Sequence, residues 1–398
     1  MLNLGFTIQE RKIMLALASI FALRMLGLFM ILPIFATNAD QFTNASEQLI
    51  GWAIGIYGLM QALLQIPLGC LSDRVGRKLV IFIGLLVFAC GSMVAAASHS
   101  IYGVIVGRCL QGSAAIGCVI MAAVADYTRE KVRHRAMGML GMIIGIAFAI
   151  AIVMGPIINQ WLGIRGIFGI TTILAMLAIV VLLLALPKSS NMLNTKDIPA
   201  LSAQLSACLT KFELLDVNIG VFSLHATLAA LFLVLPGLIQ QAGCLPQNLW
   251  QLYLLTLSLA FAAGMLLIVK AEQQNKTHTL PSIALVAILV GQCLLLTYRS
   301  NLSMIVIALL IFFMGFSILE ANLPARVAKC IGNKHKGTAM GLYSSFQFLG
   351  IFFGGTIGGW LHGHYGVTAV LVLCMLIIMA WLVCCKISYL KLAKQINN

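Results

Sequence analysis

Charge is the property that this sequence lacks most. Only 9% of its 398 residues are charged, whereas soluble globular proteins average about 25%. With 61% hydrophobic residues, the chain cannot cover a folded core with a polar surface. Its apolar runs often exceed the roughly 18 residues typical of a membrane-spanning helix, and they are continuous rather than alternating. The composition therefore excludes a soluble protein and a β-barrel, and it predicts an α-helical integral membrane protein.

Signals for catalysis and metal binding are also missing. The sequence has no nucleotide-binding loop, no catalytic-triad spacing and no soluble domain, which argues against a membrane-bound enzyme or sensor. Its eleven cysteines have no metal-ligand spacing and lie mostly within apolar runs, as buried small apolar residues do. Only Cys244 is expected on the periplasmic side, so no disulfide framework is predicted. We expect no cofactor and no metal.

About twelve apolar runs are long enough to cross a hydrocarbon core of roughly 30 Å. Spans one to six lie near residues 13–36, 48–72, 79–97, 101–126, 136–158 and 166–187. Spans seven to twelve lie near residues 216–239, 249–270, 280–298, 302–324, 338–361 and 366–386. A polar stretch separates the two sets. It predicts two six-helix bundles, residues 1–187 and 214–398, joined by a cytoplasmic linker at 188–213.

The basic residues indicate how the chain is oriented. If the N-terminus is cytoplasmic, most of the 25 Lys and Arg residues fall on the cytoplasmic side, whereas Arg165 and Arg299 fall on the other. This asymmetry is the positive-inside bias, and it places both termini in the cytoplasm of a bacterial cell with the protein in the inner membrane. The net charge of +14 thus reflects topology, and no nucleic-acid partner is expected.

The two sets of spans show signs of an internal repeat. The triplet AMG occurs at 136–138 and 339–341, and GPIINQWLG at 155–163 is echoed by GGTIGGWLH at 354–362. The offsets are 203 and 199 residues. Two matches in the same order at nearly one offset favour a gene duplication over chance similarity.

The stretch GCLSDRVGRK, residues 69–78, places four charges between two uncharged spans. Gly76 supplies the tight turn. Topology alone explains basic residues such as Arg74 and Lys78. It does not explain Asp73, because an acid at the membrane edge is costly unless it has a partner.

Two partners for these charges are expected. Arg77 is placed to pair with Asp126, at the cytoplasmic end of span four. Asp73 is placed to lie beside the start of span eleven, where free backbone N–H groups favour an anion.

These motifs carry a family resemblance over essentially the whole chain. The loop resembles the signature loop of the major facilitator superfamily, and RCLQG at 108–112 resembles its second motif. GP at 155–156 resembles the core of the antiporter motif in the fifth span. LRMLGLFMILPIF at 23–35 and GTAMGLYSSFQFLG at 337–350 are most similar to the YajR-like branch of the drug:proton antiporters.

The resemblance implies a twelve-helix transporter, in two pseudo-symmetric six-helix bundles, that alternates between inward-open and outward-open states. In that family the loop holds the cytoplasmic ends of the bundles together. The residues that this resemblance assigns to such a conformational latch are Gly69, Asp73, Arg74, Gly76, Arg77, Lys78 and Asp126. Gly69 would allow spans two and eleven to approach, and Gly155 and Pro156 would act in helix packing or as a hinge.

Departures from the antiporter motif leave two functions open. The motif normally continues to a Gly-Gly pair where this chain has Asn159 and Gln160, and Ala151 replaces a usual glycine. One function is proton-coupled efflux of small amphiphilic compounds, and the other is import of a nutrient or metabolite by proton symport. Both require a small-molecule substrate, protons and a lipid bilayer, and we expect a monomer.

Ionisable residues inside spans are candidates for proton coupling, since each costs roughly 2.5–3.5 kcal/mol to insert. Arg108 is a candidate through its motif, and His225 through its titration near neutral pH. Glu320 is the acid of the second half that sits well inside a span. The alternatives are a simple hydrogen bond for His225 and a structural ion pair of Glu320 with Arg326 or Lys329.

The expected substrate cavity is lined by Arg24 in span one and by Tyr57, Gln61 and Gln65 on one face of span two. Arg24 could instead be satisfied by helix carbonyls, and the other three could bridge helices. The first half has no acid near mid-membrane, and this leans towards neutral or anionic amphiphiles as substrates.

Overall fold

The computed structural model describes residues 6–187, 206, 208–274, 276–330 and 336–396. Nearly all of these residues are α-helical, and an isolated parallel bridge joins Thr43 to Ser100. Ten helices of the described chain are long and apolar enough to cross a membrane. Helices are expected because backbone polar groups find no water in a hydrocarbon core and must bond within their own segment.

The helices follow the predicted spans closely. Spans one to four are Ile8–Phe29, Glu47–Val75, Arg77–Ala97, and the pair Ile101–Ser113 and Gly117–Asp126. Spans five and six share the helix Glu130–Ala185, and spans eleven and twelve share Lys336–Ile396. Spans seven to ten are Phe212–Gln241, Leu249–Gln273, Leu280–Thr297 and Leu302–Cys330. Short helical turns lie at Phe35–Asn38, Ala39–Gln41, Pro246–Asn248 and Thr277–Thr279.

Each of the two long shared helices is divided by one glycine. Gly163 has φ 65° and ψ −178°, and Gly366 has φ 74° and ψ −171°. Residues with a side chain are excluded from this backbone conformation, so glycine is required at both turns. The two glycines are 203 residues apart, the spacing that separates the two AMG triplets. The division accounts for all twelve predicted spans.

The predicted end of span one at residue 36 was wrong. The helix ends at Phe29, and a turn follows before Phe35–Asn38. Pro33 lies in this turn. It has no amide hydrogen to donate, and it disfavours a helical conformation at the residue before it.

The chain divides into two compact units. One consists of Met1–Ala45 and Leu59–Ile198, and the other of Ser46–Gly58 and Pro199–Asn398. Span two therefore contributes its first part to the second unit and its remainder to the first. Most of the predicted linker, 188–213, lies outside the described residues, so the predicted bundle boundaries stay predictions.

Inside each unit, a glycine brings a pair of consecutive spans into backbone contact. A methyl group at Gly91 of span three would lie 2.6 Å from the carbonyl oxygen of Gly107 in span four. A methyl group at Gly291 of span nine would lie 2.8 Å from the carbonyl oxygen of Ala308 in span ten. Small residues allow this approach in membranes, where helices associate through close packing. The same contact thus recurs at equivalent places in the two units.

The second unit contains a further backbone contact, between the first part of span two and span eleven. A methyl group at Gly51 would lie 2.3 Å from the carbonyl oxygen of Gly355, and one at Gly58 would lie 2.5 Å from that of Phe348. Neither position has room for any side chain. The contact therefore depends on glycine at both places.

Replacing Gly51 by alanine should destabilise this contact. The added methyl group meets backbone, which cannot move aside, and overpacking of this kind costs typically 1–3 kcal/mol, about the stability of several hydrogen bonds. Gly141→Ala is the matched control, because a methyl group there meets nothing within 4 Å. Thermal unfolding in detergent should show a lower midpoint for Gly51→Ala only. Equal midpoints for the two variants would contradict the contact.

The predicted orientation can be tested by cysteine labelling. Single cysteines at Gln48, Gln247 and Gln274, all exposed positions, would be introduced after the native cysteines are replaced. An impermeant maleimide should label the first two from outside intact cells, and Gln274→Cys only after the cells are broken. Labelling of Gln274→Cys in intact cells would overturn the assignment of cytoplasmic termini.

Candidate functional site

Arg77 is the centre of the charged loop. Its Nε donates to Oδ2 of Asp126 over 3.0 Å, and the guanidinium also forms an ion pair with Asp73. One further nitrogen donates to the carbonyl oxygen of Gly69 over 3.4 Å and to the hydroxyl of Ser72. The structure thus brings together three of the charges that the sequence grouped. The Arg77 cluster, as we name Arg77 with these four partners, joins the ends of spans two, three and four.

The turn at Gly76 makes this cluster possible. Gly76 has φ 95°, a left-handed conformation that favours glycine, and Arg77 begins span three immediately after it. The neighbouring basic residues are not part of this cluster. Lys78 donates to the carbonyl oxygens of Leu186 and Leu183 at the end of span six, where a cation is favoured, and Arg74 is exposed.

Gly69 faces span four. A methyl group at this position would lie 3.3 Å from the sulfur of Cys118. The predicted approach of span eleven to Gly69, and the predicted position of Asp73 beside the start of that span, stay predictions.

Span four lies at Ile101–Asp126, as the sequence predicted, but its helix is broken in the middle. Residues 114–116 are not helical, with Ala114 at φ −77° and ψ 52°. The second half, Gly117–Asp126, therefore begins inside the span. A helix that begins leaves the N–H groups of its first turn without partners in the helix. The predicted span is thus confirmed, and the break within it is a feature that the sequence did not indicate.

Three of the four predicted cavity residues lie around this break. Gln61 donates to the carbonyl oxygen of Ala114 over 3.5 Å. A methyl group at Gly117 would lie 3.5 Å from Nε2 of Gln65 and 3.7 Å from a terminal nitrogen of Arg24. All three long polar side chains are at most 1% exposed. The arrangement presents a guanidinium and an amide to the start of a helix.

Tyr57, the fourth predicted cavity residue, belongs to the other unit. Its ring packs edge-on against Phe348 of span eleven, with centroids 6.2 Å apart. Tyr57, Gln61 and Gln65 lie on one face of span two. Tyr57 belongs to the second unit, whereas Gln61 and Gln65 belong to the first.

Arg108 takes part in a buried chain of hydrogen bonds. It donates to Oε1 of Gln111 over 3.1 Å, and Gln111 donates to the hydroxyl of Ser92 over 2.8 Å. Ser92 in turn donates to the carbonyl oxygen of Phe88 over 2.7 Å. The chain connects span four to span three, and it holds the guanidinium in one orientation.

His225 and Glu320 lie together in the second unit. Nε2 of His225 is 3.7 Å from Oε2 of Glu320 and 2.8 Å from Nε2 of Gln347. The other ring nitrogen faces the carbonyl oxygen of Val221 at 3.1 Å and therefore carries a hydrogen. Binding of a proton at Nε2 consequently decides whether the pair is ionic. The side chain of Lys329, an alternative partner for Glu320, lies outside the described residues.

Arg326, the other alternative partner for Glu320, pairs elsewhere. It donates to Oδ2 of Asp216 over 2.8 Å. The first unit has an equivalent pair, in which Arg129 donates to Glu10 over 2.9 Å. Hydrogen bonding to Glu10 raises the pKa of Arg129 above its ordinary value. Sequence analysis missed both pairs, for which the only signal was an acid near the start of spans one and seven.

Span five packs on span one at the proline of its motif. A methyl group at Gly155 would lie 2.2 Å from the carbonyl oxygen of Met30, and Pro156 continues within the helix. Asn159, which replaces a motif glycine, donates to Oδ1 of Asn38 over 3.3 Å. The departure from the motif thus adds a polar contact between the ends of these spans.

A further pair escaped the sequence analysis. Nδ1 of His362 lies 2.8 Å from Oε2 of Glu47, both within the second unit, at the end of the glycine contact between spans two and eleven. Among the residues that the structure describes, no group of three or more His, Cys, Asp or Glu side chains is placed to hold a metal ion.

Comparison with known proteins places these features in one family. The sequence model of the Major Facilitator Superfamily matches residues 17–325 and 278–394. The chain is 41% identical to the inner membrane transport protein YajR of Escherichia coli over 94% of this chain and 82% of that protein. It is 27% identical to the class E tetracycline resistance protein of Escherichia coli, over 62% of this chain and 58% of that protein.

A solved structure shows the same fold. The human organic anion transporter MFSD10 superposes with a TM-score of 0.69 at 17% identity, and the match covers 94% of this chain and 99% of that one. At this identity the likeness concerns the fold alone. It agrees with two halves of six helices.

Neutralising Asp73 should test the latch role that the resemblance assigns to the loop. The ion pair with Arg77 is partly exposed, so its loss should cost about 0.2–1 kcal/mol and shift a conformational ratio less than tenfold. We expect Asp73→Asn to be folded, to bind substrate normally and to transport more slowly. Glu272→Gln, at an exposed acid near the end of span eight, should change neither conformation nor rate.

Spin labels at the exposed positions Leu71 and Gln274 would report the conformational ratio through their distance distribution. Asp73→Asn should increase the population with the longer distance, because the cytoplasmic ends separate more readily. An unchanged distribution combined with lost substrate binding would place the loop in the substrate site and contradict the latch.

Proposed function

The chain belongs to the Major Facilitator Superfamily, as its motifs predicted, and we propose that it is a proton-coupled secondary transporter that exports small amphiphilic compounds by alternating access. Its relatives are transporters rather than enzymes, and a small-molecule substrate and an embedding bilayer follow from the family. Proton coupling and export are the parts that we propose.

The pair His225 and Glu320 is the observation that carries proton coupling. His225 is 3% exposed and Glu320 is 33% exposed, so a proton can reach the carboxylate while the imidazole is held inside. In our proposal a proton bound between the two groups converts a neutral histidine and a carboxylate into an ion pair at 3.7 Å. Release of the proton removes that attraction. The change acts on spans seven, ten and eleven, since Gln347 of span eleven contacts the same ring nitrogen.

Arg108 has a supporting role in this proposal. Its guanidinium is fixed by Gln111 and Ser92 and is 2% exposed, so it is a permanent buried positive charge in the first unit. Such a charge lowers the proton affinity of groups close to it, and this is the role that we propose for Arg108.

We propose that the contacts at the two ends of span two form and break at different stages of transport. At one end the Arg77 cluster holds the loop, and at the other end Gly51 and Gly58 contact span eleven beside the pair Glu47 and His362. In our proposal both contacts take part in alternating access, the Arg77 cluster on the predicted cytoplasmic side and the glycine contact on the opposite side. This assignment rests on the predicted orientation, with both termini in the cytoplasm, in a bacterial inner membrane.

The direction of transport distinguishes our proposal from its alternative. Similarity to a tetracycline resistance protein supports export. Import by proton symport is favoured by one observation, since Asn159 and Gln160 stand where the antiporter motif has glycines, and Asn159 bonds to Asn38. We expect the protein to act as a monomer in either case.

Glu320→Gln should uncouple substrate movement from proton movement. Compounds to which expression confers resistance would first be found by growth and efflux screening in an efflux-deficient strain. In proteoliposomes with a pH gradient, the wild type should release protons when such a compound is added, as a pH-sensitive dye reports. Glu320→Gln should lose this signal but keep substrate exchange, because a neutral amide does not stabilise the protonated imidazole of His225. Glu213→Gln, at an exposed acid near the start of span seven, is the matched control.

Two results would count against this proposal. Proton release that persists in Glu320→Gln and in His225→Gln would remove the pair from the coupling mechanism. Accumulation of the compound in intact cells, abolished by an uncoupler, would establish symport and reject export.

A further inference from the structure

The imidazole of His225 has two hydrogen-bond partners, and together they fix where its hydrogen lies. Nδ1 faces the carbonyl oxygen of Val221 at 3.1 Å. A carbonyl oxygen only accepts, so this nitrogen carries a hydrogen in the neutral and in the charged ring. Nε2 of the neutral ring is then an acceptor, and the amide nitrogen of Gln347, at 2.8 Å, is the donor that faces it. The contact with Gln347 therefore stabilises the unprotonated ring.

Glu320 favours the opposite state of the ring. Its Oε2 lies 3.7 Å from Nε2 of His225, and this oxygen is buried without a hydrogen bond to any residue that the structure describes. A carboxylate only accepts, so it bonds to Nε2 when that nitrogen carries a proton. Its negative charge also favours the protonated ring. Gln347 and Glu320 thus compete for one nitrogen.

The amide of Gln347 is held beside the ring by tight packing of the two helices that carry them. A methyl group at Gly350, three residues after Gln347, would lie 2.3 Å from the carbonyl oxygen of Phe222 in span seven. A methyl group at Gly354 would lie 2.0 Å from another carbonyl oxygen of that span. Backbone in contact with backbone leaves no room for the helices to shift towards each other. Gln347 is consequently a partner of His225 at a fixed position.

Glu320 lies on a weaker part of its helix. Pro324 is inside the helix Leu302–Cys330, four residues after Glu320. Proline has no N–H group, so the carbonyl oxygen of Glu320 receives no helical hydrogen bond from it, and the proline ring crowds that same carbonyl group. Helices bend most readily at such a position. The distance between Glu320 and the ring can therefore change when span ten bends.

Other titratable groups leave Glu320 as the charge that acts on the ring. Spans ten, eleven and twelve pack on span seven. In the turns around the ring and its partners, the titratable groups whose side chains the structure describes are Asp216, Glu320, Arg326, Tyr343 and Cys374. Asp216 and Arg326 pair with each other at 2.8 Å, and the thiol of Cys374 donates to a carbonyl oxygen of span seven. The phenol of Tyr343 is uncharged near neutral pH.

From this geometry we infer that Gln347 is a positioning residue for proton coupling. It keeps Nε2 of His225 as an acceptor until Glu320 approaches, so that uptake of a proton requires span ten to bend at Pro324. The incoming proton forms an N–H bond at Nε2 and breaks the hydrogen bond from Gln347. The inference deepens the proposed function and rests on it, because it identifies what makes the proton affinity of the pair depend on conformation.

Nuclear magnetic resonance of the histidine rings tests the inference without a substrate. Protein with isotopically labelled histidine would be reconstituted in lipid bilayers and titrated with pH. The chain has seven histidines, and the signal that His225→Gln removes identifies the ring in question. The nitrogen chemical shifts report which nitrogen carries hydrogen. In the neutral ring we expect the hydrogen on Nδ1.

Variants of the two competing partners should move the titration in opposite directions. Gln347→Met keeps the length of the side chain but removes the donor. It should raise the pH at which the ring is half protonated by about half a unit to one unit, a three- to tenfold gain in proton affinity. Glu320→Gln should lower this pH. Pro324→Ala restores the missing helical bond and should also lower it, by less than Glu320→Gln does.

The matched control is Gln292→Met, at a fully buried glutamine of span nine, and it should leave the titration unchanged. Thermal unfolding of each variant would show that it is folded. A role of Gln347 in packing alone does not predict a shift that depends on pH. In proteoliposomes, the pH profile of compound-induced proton release should move upwards in Gln347→Met by the same amount as the titration of the ring.

The outcomes separate this inference from the proposed function. A neutral ring with its hydrogen on Nε2 would overturn the inference. So would a half-protonation pH that Gln347→Met lowers or leaves unchanged, since the amide would then turn its oxygen to the protonated ring or have no influence. A half-protonation pH that Pro324→Ala does not lower would likewise overturn it. In each case, proton release by the wild type leaves the proposed function standing. The expected titrations without any proton-coupled transport would support the hydrogen-bond assignment and reject the proposed function.

Discussion

Every feature of this protein depends on the need to satisfy backbone hydrogen bonds without water. In a hydrocarbon core the only solution for a single segment is a helix, so an interruption requires side chains that replace the lost bonds. The break at Ala114 meets this requirement through Gln61, which donates to its carbonyl oxygen. The same break exposes the start of Gly117–Asp126. Polar chemistry therefore enters the interior of the first unit where the helix is interrupted.

The two units are built alike but carry different chemistry. Both have a glycine at the turn between their fifth and sixth spans, and both join the first span to the end of the fourth by an ion pair, Glu10 with Arg129 and Asp216 with Arg326. These shared contacts set the architecture. Away from them, the first unit holds a buried arginine beside a helix start, and the second holds a histidine beside a carboxylate. If the two units arose by the duplication that the sequence repeats predict, the packing has been kept while the polar interior has changed.

The sequence predicted those parts that depend on local pattern. Apolar run length located the spans, and the charges of one loop indicated that Arg77 would meet Asp126. The break in span four could not be predicted, because the alanines and glycines around Ala114 are compatible with a helix. The sequence also could not predict that Arg326 pairs with Asp216 instead of Glu320, because this choice depends on how spans seven and ten pack. Contacts set by tertiary packing leave little signal in a single sequence.

Pro67 gives span two a mechanical property that its two ends do not have. It lies inside the helix Glu47–Val75, between the segment that packs with the second unit and the charged loop. A proline there cannot donate to the carbonyl oxygen one turn earlier, and it prevents close approach of that turn. Span two is consequently a rod with a joint, stiff on either side and weaker at one point. A displacement of one end of span two therefore bends the helix at Pro67 before it moves the other end. The first step of a conformational change is then confined to one part of the helix.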